Sequence, residues 1–389
     1  MSISHNEFGP EYVLEVYDAK IGMRGFLVID NTALGPGKGG IRMTPDVTVE
    51  EVFRLARTMT WKNALAGIPF GGAKAGIVWD PSFAKKTGKE VLELKKEFMQ
   101  SFARALKPLV PKKYIAGPDV NTGEKDMQHF VEAAGNWRAA TGKPANYCMK
   151  VFGKEGEKCG IPHEFGSTGF GVAQATKVAT ELSGINIKGA RVAIEGFGNV
   201  GTFAFSYLKA MGAKIVAVAS RDSTVYLEDG LQEKILAELR EQKRSLREYP
   251  HGTAMDHDAI FGVDADILIP AAVTDVIHDG NKNTIKAKII VEGANIPMSE
   301  KVERELFSKG ILIVPDFIAN AGGVISSYAE YRGYNPKRMF ELVERRIVAT
   351  VTSVLKKSMK QGRSAREVAM ELAQEKVSKR MKAKKTTFV

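Results

Sequence analysis

One short glycine-rich segment constrains the fold of this chain more than any other feature. Residues 196–201 are Gly-Phe-Gly-Asn-Val-Gly, which matches the Gly-x-Gly-x-x-Gly pattern. The segment follows an apolar run at residues 191–195 and precedes a helix-like run that extends to Leu208. In this context the glycines permit a tight turn, and a pyrophosphate can approach the N-terminus of the helix. The pattern predicts a dinucleotide site with contacts from Gly196, Gly198, Asn199, Val200 and Gly201.

Short apolar runs alternate with helix-like segments around this motif. The predicted strands lie at residues 191–195, 214–219, 266–270, 288–291 and 311–314. Strands that alternate with helices favour a parallel sheet covered by helices on both faces. The predicted fold class is therefore α/β, with a Rossmann-like, doubly wound dinucleotide-binding domain.

The length of the chain favours more than one domain. At 389 residues it exceeds the size at which a single hydrophobic core is typical. The segment 141–166 is rich in glycine and proline, which makes it a candidate boundary or active-site loop. We predict a substrate-binding and oligomerisation domain at residues 1–165 and a dinucleotide-binding domain at 166–327. Residues 328–389 are predicted as helices that return to the first domain.

The N-terminal part mixes strand-like and helix-like patterns. Thr48 and Glu51 form a capping-box pattern, and apolar residues follow at helical spacing. This pattern predicts a helix that carries Lys62 toward its end. Residues 90–106 and 123–141 are predicted as two further helices.

Three lysines of this part lie in glycine-rich or apolar surroundings. Lys38 lies in Gly-Pro-Gly-Lys-Gly-Gly, Lys62 in Trp-Lys-Asn-Ala, and Lys74 in Gly-Gly-Ala-Lys-Ala-Gly. A surface lysine does not need small neighbours, whereas a backbone that closely approaches a ligand does. The pattern predicts a cleft for a small anion with more than one carboxylate.

The end of the second predicted strand bears on cofactor preference. An acidic residue there would favour NAD by binding the 2′-hydroxyl of the ribose. The chain instead has Ser220 followed by Arg221, which suits a 2′-phosphate because Arg221 supplies positive charge. Asp222 comes next and keeps NAD open. We predict NADP as the favoured cofactor and NAD as the alternative.

Charge, hydropathy and cysteine content exclude several classes of function. The net charge of +11 is concentrated near the C-terminus, which favours a solvated helix end, and no nucleic-acid-binding motif is present. No run of 18 apolar residues predicts a membrane span, and the first residues do not resemble a secretory signal. Cys148 and Cys159 are predicted as reduced thiols without a metal. These features favour a cytoplasmic protein with small-molecule partners and no metal, nucleic acid or membrane.

Several motifs together resemble a known family. Residues 68–76, Ile-Pro-Phe-Gly-Gly-Ala-Lys-Ala-Gly, run on to Asp80-Pro81 and fit an active-site signature at every specified position. Further matches lie at residues 117–119, 196–201, 292–295 and 320–324. In these motifs the chain resembles the Glu/Leu/Phe/Val dehydrogenases, and their glutamate-acting members most closely. The resemblance extends from about Gly22 to Tyr331.

The resemblance implies a role for each matching position. Lys74 corresponds to the catalytic lysine that activates water, and Asp119 to the acid/base that exchanges protons with the amino group. Lys62 corresponds to the residue that holds the substrate α-carboxylate. Lys38 and Ser327 correspond to the residues that hold the γ-carboxylate. A lysine buried without an anion is costly, so this pocket should reject apolar side chains.

Cofactor contacts carry over in the same way. Thr168 corresponds to a threonine near the nicotinamide, and Asn295 and Asn320 to residues that line the nicotinamide and its ribose. One departure is Glu164, at a position where relatives usually have arginine. The approach segment 146–165 also differs from the usual family sequence.

The resemblance implies reversible oxidative deamination of L-glutamate with NAD(P) as cofactor, in a homo-hexamer. Two alternatives stay open at this stage. The chain could act on another L-amino acid, with Lys38 serving a different anionic group. It could also be a catalytically weak, nucleotide-binding paralogue.

Overall fold

The computed structural model describes residues 3–151, 154–162 and 165–386. The strands are β1 Tyr12–Asp18, β2 Met23–Asn31, β3 Gly37–Lys38, β4 Ile41–Thr44, β5 Gly71–Val78, β6 Tyr114–Ile115, β7 Cys148–Val151, β8 Lys154–Cys159, β9 Arg191–Glu195, β10 Lys214–Ala219, β11 Thr224–Tyr226, β12 Thr253–Met255, β13 Ile267–Pro270, β14 Ile289–Val291 and β15 Leu312–Val314. The helices are α1 Val49–Leu65, α2 Ser82–Thr87, α3 Val91–Ala105, α4 Glu124–Ala134, α5 Ser167–Leu182, α6 Asn199–Ala210, α7 Glu233–Glu241, α8 Glu300–Ser308, α9 Asp316–Ala319, α10 Gly322–Arg332, α11 Pro336–Gln361 and α12 Ala365–Thr386. Within the described ranges, no helix is both long and apolar enough to cross a membrane.

The chain forms two compact units. The first comprises the described parts of Met1–Phe165, Val324–Met339 and Glu371–Val389. The second comprises Gly166–Gly323 and Phe340–Met370.

The first unit is built on a sheet with the order β1-β2-β5-β3-β6, and β4 pairs with β5. Successive side chains of a strand point to opposite faces, so a strand buried on both faces is apolar throughout. On β2, Leu27 packs in a cluster with Phe98 and Phe102 of α3. Val28, the next residue, packs with Val52 of α1. The sheet therefore has α3 on one face and α1 on the other.

The helices of this unit begin where the sequence predicts, and one ends earlier. The Thr48 side chain accepts the Glu51 amide at 3.2 Å and caps α1, which confirms the predicted helix with Lys62 in its last turn. The predicted helix 123–141 ends at Ala134, because Gly135 adopts the left-handed conformation with φ 68°. A short 3-10 turn at Trp137–Ala139 follows.

The second unit contains a seven-stranded sheet with the order β12-β11-β10-β9-β13-β14-β15. The five strands from β10 to β15 in this order are parallel, and their bounds lie within one residue of the predicted strands. The antiparallel strands β11 and β12 extend one edge and were not predicted. The strand order reverses between β9 and β13, and ligands of doubly wound sheets bind at such a point.

Part of the C-terminal helical region packs differently from the prediction. The sequence predicts that residues 328–389 all return to the first domain, whereas Phe340–Met370 belongs to the second unit. The Phe340 ring lies 5.1 Å from the Phe170 ring, and the Arg366 guanidinium lies 2.7 Å from the Glu292 carboxylate. These contacts attach α11 and the start of α12 to α5 and β14. Only residues near the two ends of this region pack with the first unit.

The two cysteines form a disulfide, so the prediction of reduced thiols is wrong. Cys148 and Cys159 are directly paired in register across the antiparallel hairpin β7–β8. The polar sequence between them gives no strand pattern, and hence no indication that the two thiols face each other.

Candidate functional site

Lys74 lies on the central strand β5, which is buried along nearly its whole length. Its neighbours Ala73 and Ala75 face α3, so alternation directs Lys74 toward the face covered by α1. The chain that leaves β3 after Lys38 crosses β5 very closely. A Cβ at Gly39 would lie 1.6 Å from the Ala73 carbonyl oxygen, so only glycine fits there.

Lys74 and Asp119 form an ion pair with Nζ and Oδ1 2.9 Å apart. The other carboxylate oxygen of Asp119 accepts the Nε–H of Arg42 at 3.0 Å. Burial of the Asp119 carboxyl opposes its ionisation, but Lys74 and Arg42 outweigh burial and hold its pKa below the ordinary value. Arg42 is fixed in turn by Glu51 of α1.

Lys38 is only 3% exposed and donates a hydrogen bond to the Ala116 carbonyl oxygen at 2.8 Å. Burial lowers its pKa to about 7. A Cβ at Gly117 would lie 2.5 Å from Lys38 Nζ, so glycine is required beside this ammonium group. Lys38 is therefore a sequestered cation that titrates near neutral pH.

Lys62 is half-buried in the last turn of α1. The adjacent Asn63 donates to the Gly71 carbonyl oxygen at 2.6 Å, which ties the end of α1 to the start of β5. Ser327 is half-buried on α10, three residues before Glu330. Within the described part of the chain, no hydrogen bond joins Ser327 to Lys38.

Three charged residues near these groups were not predicted as site residues. They are Arg42, Lys143 and Glu330. Lys143 and Glu330 are both fully buried and form an ion pair at 2.5 Å. Lys143 lies between Gly142 and Pro144, so the pattern of small neighbours that identified Lys38 would also have identified it.

In the second unit, the glycine-rich turn links β9 to α6. Gly196 has φ 95°, and a Cβ on it would lie 2.6 Å from the Ala272 amide nitrogen. A Cβ at Gly201 would lie 1.9 Å from the Gly196 carbonyl oxygen. Gly198, in contrast, faces open space and is the N-cap of α6. The turn is packed tightly on the protein side and open where a phosphate would approach, so it fits a dinucleotide. Asn199 and Val200 form the first turn of α6.

Three further predicted cofactor residues belong to one group of contacts. Asn320 Nδ2 donates to the Asn295 side-chain oxygen at 3.0 Å and lies 3.2 Å from the Gly293 carbonyl oxygen. Thr168 lies in the first turn of α5, and a Cβ at Gly323 would be 3.0 Å from its hydroxyl. Hydrogen bonds thus join the end of α9 to the segment after β14, and the start of α5 lies close to Gly323.

At the end of β10, Ser220 donates to Asp222 through its hydroxyl at 2.7 Å. The Ser245 hydroxyl donates to the other oxygen of Asp222 at 2.5 Å. Bonds from Ser245 and Ser220 hold the pKa of Asp222 below its usual value. Arg221 is exposed beside this network. The basic segment that contains Ser245 is thereby placed next to the end of β10.

His163 and Glu164, where the chain departs from the family pattern, lie outside the described residues. Among the residues that are described, no group of three or more His, Cys, Asp or Glu side chains is arranged to hold a metal ion.

The sequence matches two family profiles over most of its length. Residues 159–385 match the profile described as Glutamate/Leucine/Phenylalanine/Valine dehydrogenase. Residues 10–135 match the profile described as Glu/Leu/Phe/Val dehydrogenase, dimerisation domain.

Individual relatives and structures are similar over most of the chain. The NADP-specific glutamate dehydrogenase of Saccharolobus shibatae is 38% identical over 363 residues, which are 91% of this chain and 83% of the relative. The NAD-specific glutamate dehydrogenase of Peptoniphilus asaccharolyticus is 32% identical over 320 residues, 79% of this chain and 72% of the relative. The structure of the hetero-hexameric glutamate dehydrogenase from Thermus thermophilus matches with a TM-score of 0.81 at 26% identity. That match covers 96% of this chain and 90% of the other.

Proposed function

Because the chain belongs to the Glu/Leu/Phe/Val dehydrogenase family, we propose that it catalyses the reversible oxidative deamination of L-glutamate. In this reaction L-glutamate, water and NAD(P)+ give 2-oxoglutarate, ammonium, NAD(P)H and a proton. The observation that carries the proposal is the Lys74–Asp119 ion pair at 2.9 Å, in the same unit as the sequestered cation Lys38.

The residues of the first unit bind the substrate and move protons. Lys62 holds the α-carboxylate, and Lys38, assisted by Ser327, holds the γ-carboxylate. Lys74 orients and activates the water that attacks the imino carbon. Asp119 exchanges protons with the amino nitrogen, and its ion pair with Lys74 keeps both groups aligned.

Residues of the second unit hold the cofactor. NAD(P), when bound, supplies the hydride acceptor. The amides of the first turn of α6, including those of Asn199 and Val200, face the pyrophosphate, and Gly196, Gly198 and Gly201 give it room. Thr168, Asn295 and Asn320 orient the nicotinamide end.

We propose NADP as the preferred form of the cofactor. Ser220 occupies the position where an acidic residue would repel a 2′-phosphate, and Arg221 is exposed beside it. Asp222 opposes this preference, but two hydroxyl groups already bind its carboxylate. Relatives of this chain include one named as NADP-specific and one named as NAD-specific, so the family allows either cofactor.

We further propose that the enzyme is a homo-hexamer located in the cytoplasm. A hexameric assembly is supported by the hetero-hexameric glutamate dehydrogenase whose structure matches this chain over 96% of its length, and the identity of the six subunits is part of the proposal. Light scattering of the purified chain should then give six times the 42.5 kDa chain mass, and cell fractionation tests the location.

Initial rates of cofactor oxidation with 2-oxoglutarate and ammonium test the reaction, with NADPH and NADH compared side by side. Lys74→Ala should lower kcat by at least about 100-fold, since a positioned acid or base contributes roughly 10²–10⁴. Lys112→Ala, an exposed lysine of the same unit, is the matched control.

Arg221→Gln should reduce the NADPH/NADH ratio of kcat/KM by about tenfold, because one charge-assisted hydrogen bond is lost. Absence of turnover by the folded wild type with either cofactor would refute the proposed reaction.

A further inference from the structure

A second buried ion pair lies in the first unit, apart from Lys74 and Asp119. Lys143 and Glu330 have no exposed side-chain surface, and Nζ lies 2.5 Å from Oε1. The Lys143 ammonium group also lies 3.8 Å from the centre of the Trp137 ring and donates to the Ala140 carbonyl oxygen. Enclosing two charges in this way requires compensating contacts, because each loses its hydration.

One backbone segment places this pair beside Lys38. The Ala116 carbonyl oxygen accepts from Lys38 Nζ at 2.8 Å and from the Thr141 amide at 3.0 Å. The next amide, that of Gly142, donates to Glu330 Oε2 at 2.7 Å. The consecutive residues Thr141 and Gly142 therefore lie between the Lys38 ammonium group and the Glu330 carboxylate, and each contacts one side.

The three buried lysines of this region differ in whether they have a carboxylate partner. Lys74 has Asp119 as its carboxylate partner, and Lys143 has Glu330. Across the described residues, Lys38 forms no ion pair, although it is buried. Its charge is therefore available to an incoming carboxylate, and its protonation depends on neighbouring charges rather than on a direct partner.

The neighbouring charges act on Lys38 in opposite directions. Burial has the largest effect and lowers the pKa of Lys38, the Glu330 carboxylate raises it, and the Lys143 and Lys74 ammonium groups lower it. The hydroxyl of Tyr114 donates to the carbonyl oxygen of Gly39, the residue after Lys38, and Asp119 is engaged by Lys74. Lys62 lies one residue before Asn63, whose side-chain amide lies 3.5 Å from the Lys38 carbonyl oxygen.

We propose that Glu330 and Lys143 are positioning residues that jointly determine how strongly Lys38 binds the distal carboxylate of the substrate. Glu330 keeps Lys38 protonated before substrate binds, and Lys143 limits that effect by pairing with Glu330. The pair thereby determines both the affinity for a dicarboxylate and the pH range in which it is bound. This inference rests on the proposed role of Lys38 in binding the γ-carboxylate.

Competitive inhibition by glutarate, a five-carbon dicarboxylate, tests the proposal, with pentanoate as the monocarboxylate control. Inhibition constants against 2-oxoglutarate are measured from pH 6 to pH 9 for the wild type, Glu330→Gln, Lys143→Met and the double variant. In the wild type, glutarate affinity should fall as the pH rises above about 7, because Lys38 loses its proton. Pentanoate should show a much weaker dependence.

The two single variants should move this pH dependence in opposite directions. Glu330→Gln removes the charge that raises the Lys38 pKa, so the fall in glutarate affinity should begin at lower pH. Lys143→Met removes a charge that lowers it, so the fall should begin at higher pH, and the double variant should return toward the wild type. A displacement of one pH unit corresponds to a tenfold change in affinity on the falling limb.

Each variant retains two backbone contacts at position 330. In Glu330→Gln, the new side-chain oxygen can accept the Gly142 and Ile161 amides that now bind Glu330 Oε2. In Lys143→Met, Glu330 retains those two amides. If one variant nevertheless fails to fold by circular dichroism, the other still has a predicted direction.

The inference would be overturned if the pH dependence of glutarate affinity stayed unchanged in both single variants, or shifted in the same direction in both. A general structural effect would not shift the two variants in opposite directions. A wild type without 2-oxoglutarate turnover would instead refute the proposed function. The two failures are therefore distinguishable.

Discussion

At the scale of single residues, pairing distinguishes two buried lysines of the first unit, Lys74 and Lys38. Lys74 is only 6% exposed, yet its ammonium group lies 2.9 Å from a carboxylate. Lys38 is buried to a similar extent and has a carbonyl oxygen as its partner. Desolvation without a counter-charge favours the neutral amine, which is why the pKa of Lys38 falls to about 7. Below that pH the site gains a positive charge, which attracts a carboxylate.

The guanidinium group of Arg42 should control the ionisation of Asp119. In Arg42→Gln one of the two cations beside Asp119 is lost, so the Asp119 pKa should rise. The acid limb of kcat/KM for glutamate oxidation should then move to higher pH by up to about one unit, because Lys74 remains in place. A pH profile between pH 5 and pH 9 measures the displacement.

Glu51→Gln is the matched control for Arg42. It removes the other partner of the guanidinium group while leaving a cation beside Asp119. Its acid limb should stay where it is in the wild type. An unchanged limb in Arg42→Gln, or equal displacement in both variants, would show that Arg42 does not act through the Asp119 charge.

At the scale of secondary-structure elements, Arg366 joins three segments of the second unit. Its guanidinium group lies 2.7 Å from Glu292 at the end of β14 and 3.1 Å from Asp316 at the start of α9, and it also contacts Glu303 of α8. One cation thus faces three buried carboxyl groups. Burial, only partly offset by Arg366, raises the pKa of Glu292 well above its ordinary value. The folded unit therefore retains protons that the unfolded chain releases.

Glu292→Gln should stabilise the protein increasingly as the pH rises. The raised pKa means that the Glu292 contribution to stability is fully present below the unfolded pKa and is lost as the pH rises toward the folded pKa. The amide does not titrate, so the variant should gain up to about 1.4 kcal/mol per pH unit relative to the wild type over this range. Urea unfolding between pH 5 and pH 9 measures the difference.

Glu344→Gln, an exposed glutamate on α11, serves as the comparison. Its unfolding free energy relative to the wild type should not change with pH in the same way. If Glu292→Gln instead differs from the wild type by a constant amount at every pH, Glu292 is ionised in the folded protein.

At the scale of the whole molecule, the predicted substrate and cofactor groups belong to separate compact units. Lys38, Lys62, Lys74, Asp119 and Ser327 lie in the first unit. The glycine-rich turn, Thr168, Asn295, Asn320 and the Ser220–Arg221 pair lie in the second. Each unit has its own sheet and its own hydrophobic cluster. The ligands should therefore stabilise the protein through different residues.

Thermal unfolding with each ligand alone tests this separation. Glutarate should raise the Tm of the wild type but not that of Lys38→Met, while NADP should raise the Tm of both. Arg221→Gln should show the converse pattern, with a reduced response to NADP and a full response to glutarate. Ligand at 100 times its Kd contributes about 2.7 kcal/mol, which is measurable. A loss of the NADP response in Lys38→Met would contradict the assignment.

The sequence alone determined those parts of the fold that depend on local patterns. Strands β9 and β10 have the predicted bounds, because buried parallel strands are short apolar runs. The side-chain cap at Thr48 forms as the capping pattern predicts. The edge strands β11 and β12 and the hairpin β7–β8 could not be predicted, since short polar strands are specified by their pairing partners rather than by their own composition.

For the candidate site, glycine-flanked lysines and the glycine-rich turn were visible in the sequence because close backbone approach requires small residues. Which lysine has a counter-charge was not visible. Lys74 and Asp119 are 45 positions apart, and Lys143 and Glu330 are separated by 187. Electrostatic interactions depend on distance in space and on the exclusion of water, and only the tertiary structure fixes both. The sequence thus determined which chemical groups this protein contains, and its folding determined which of the buried lysines have a carboxylate partner.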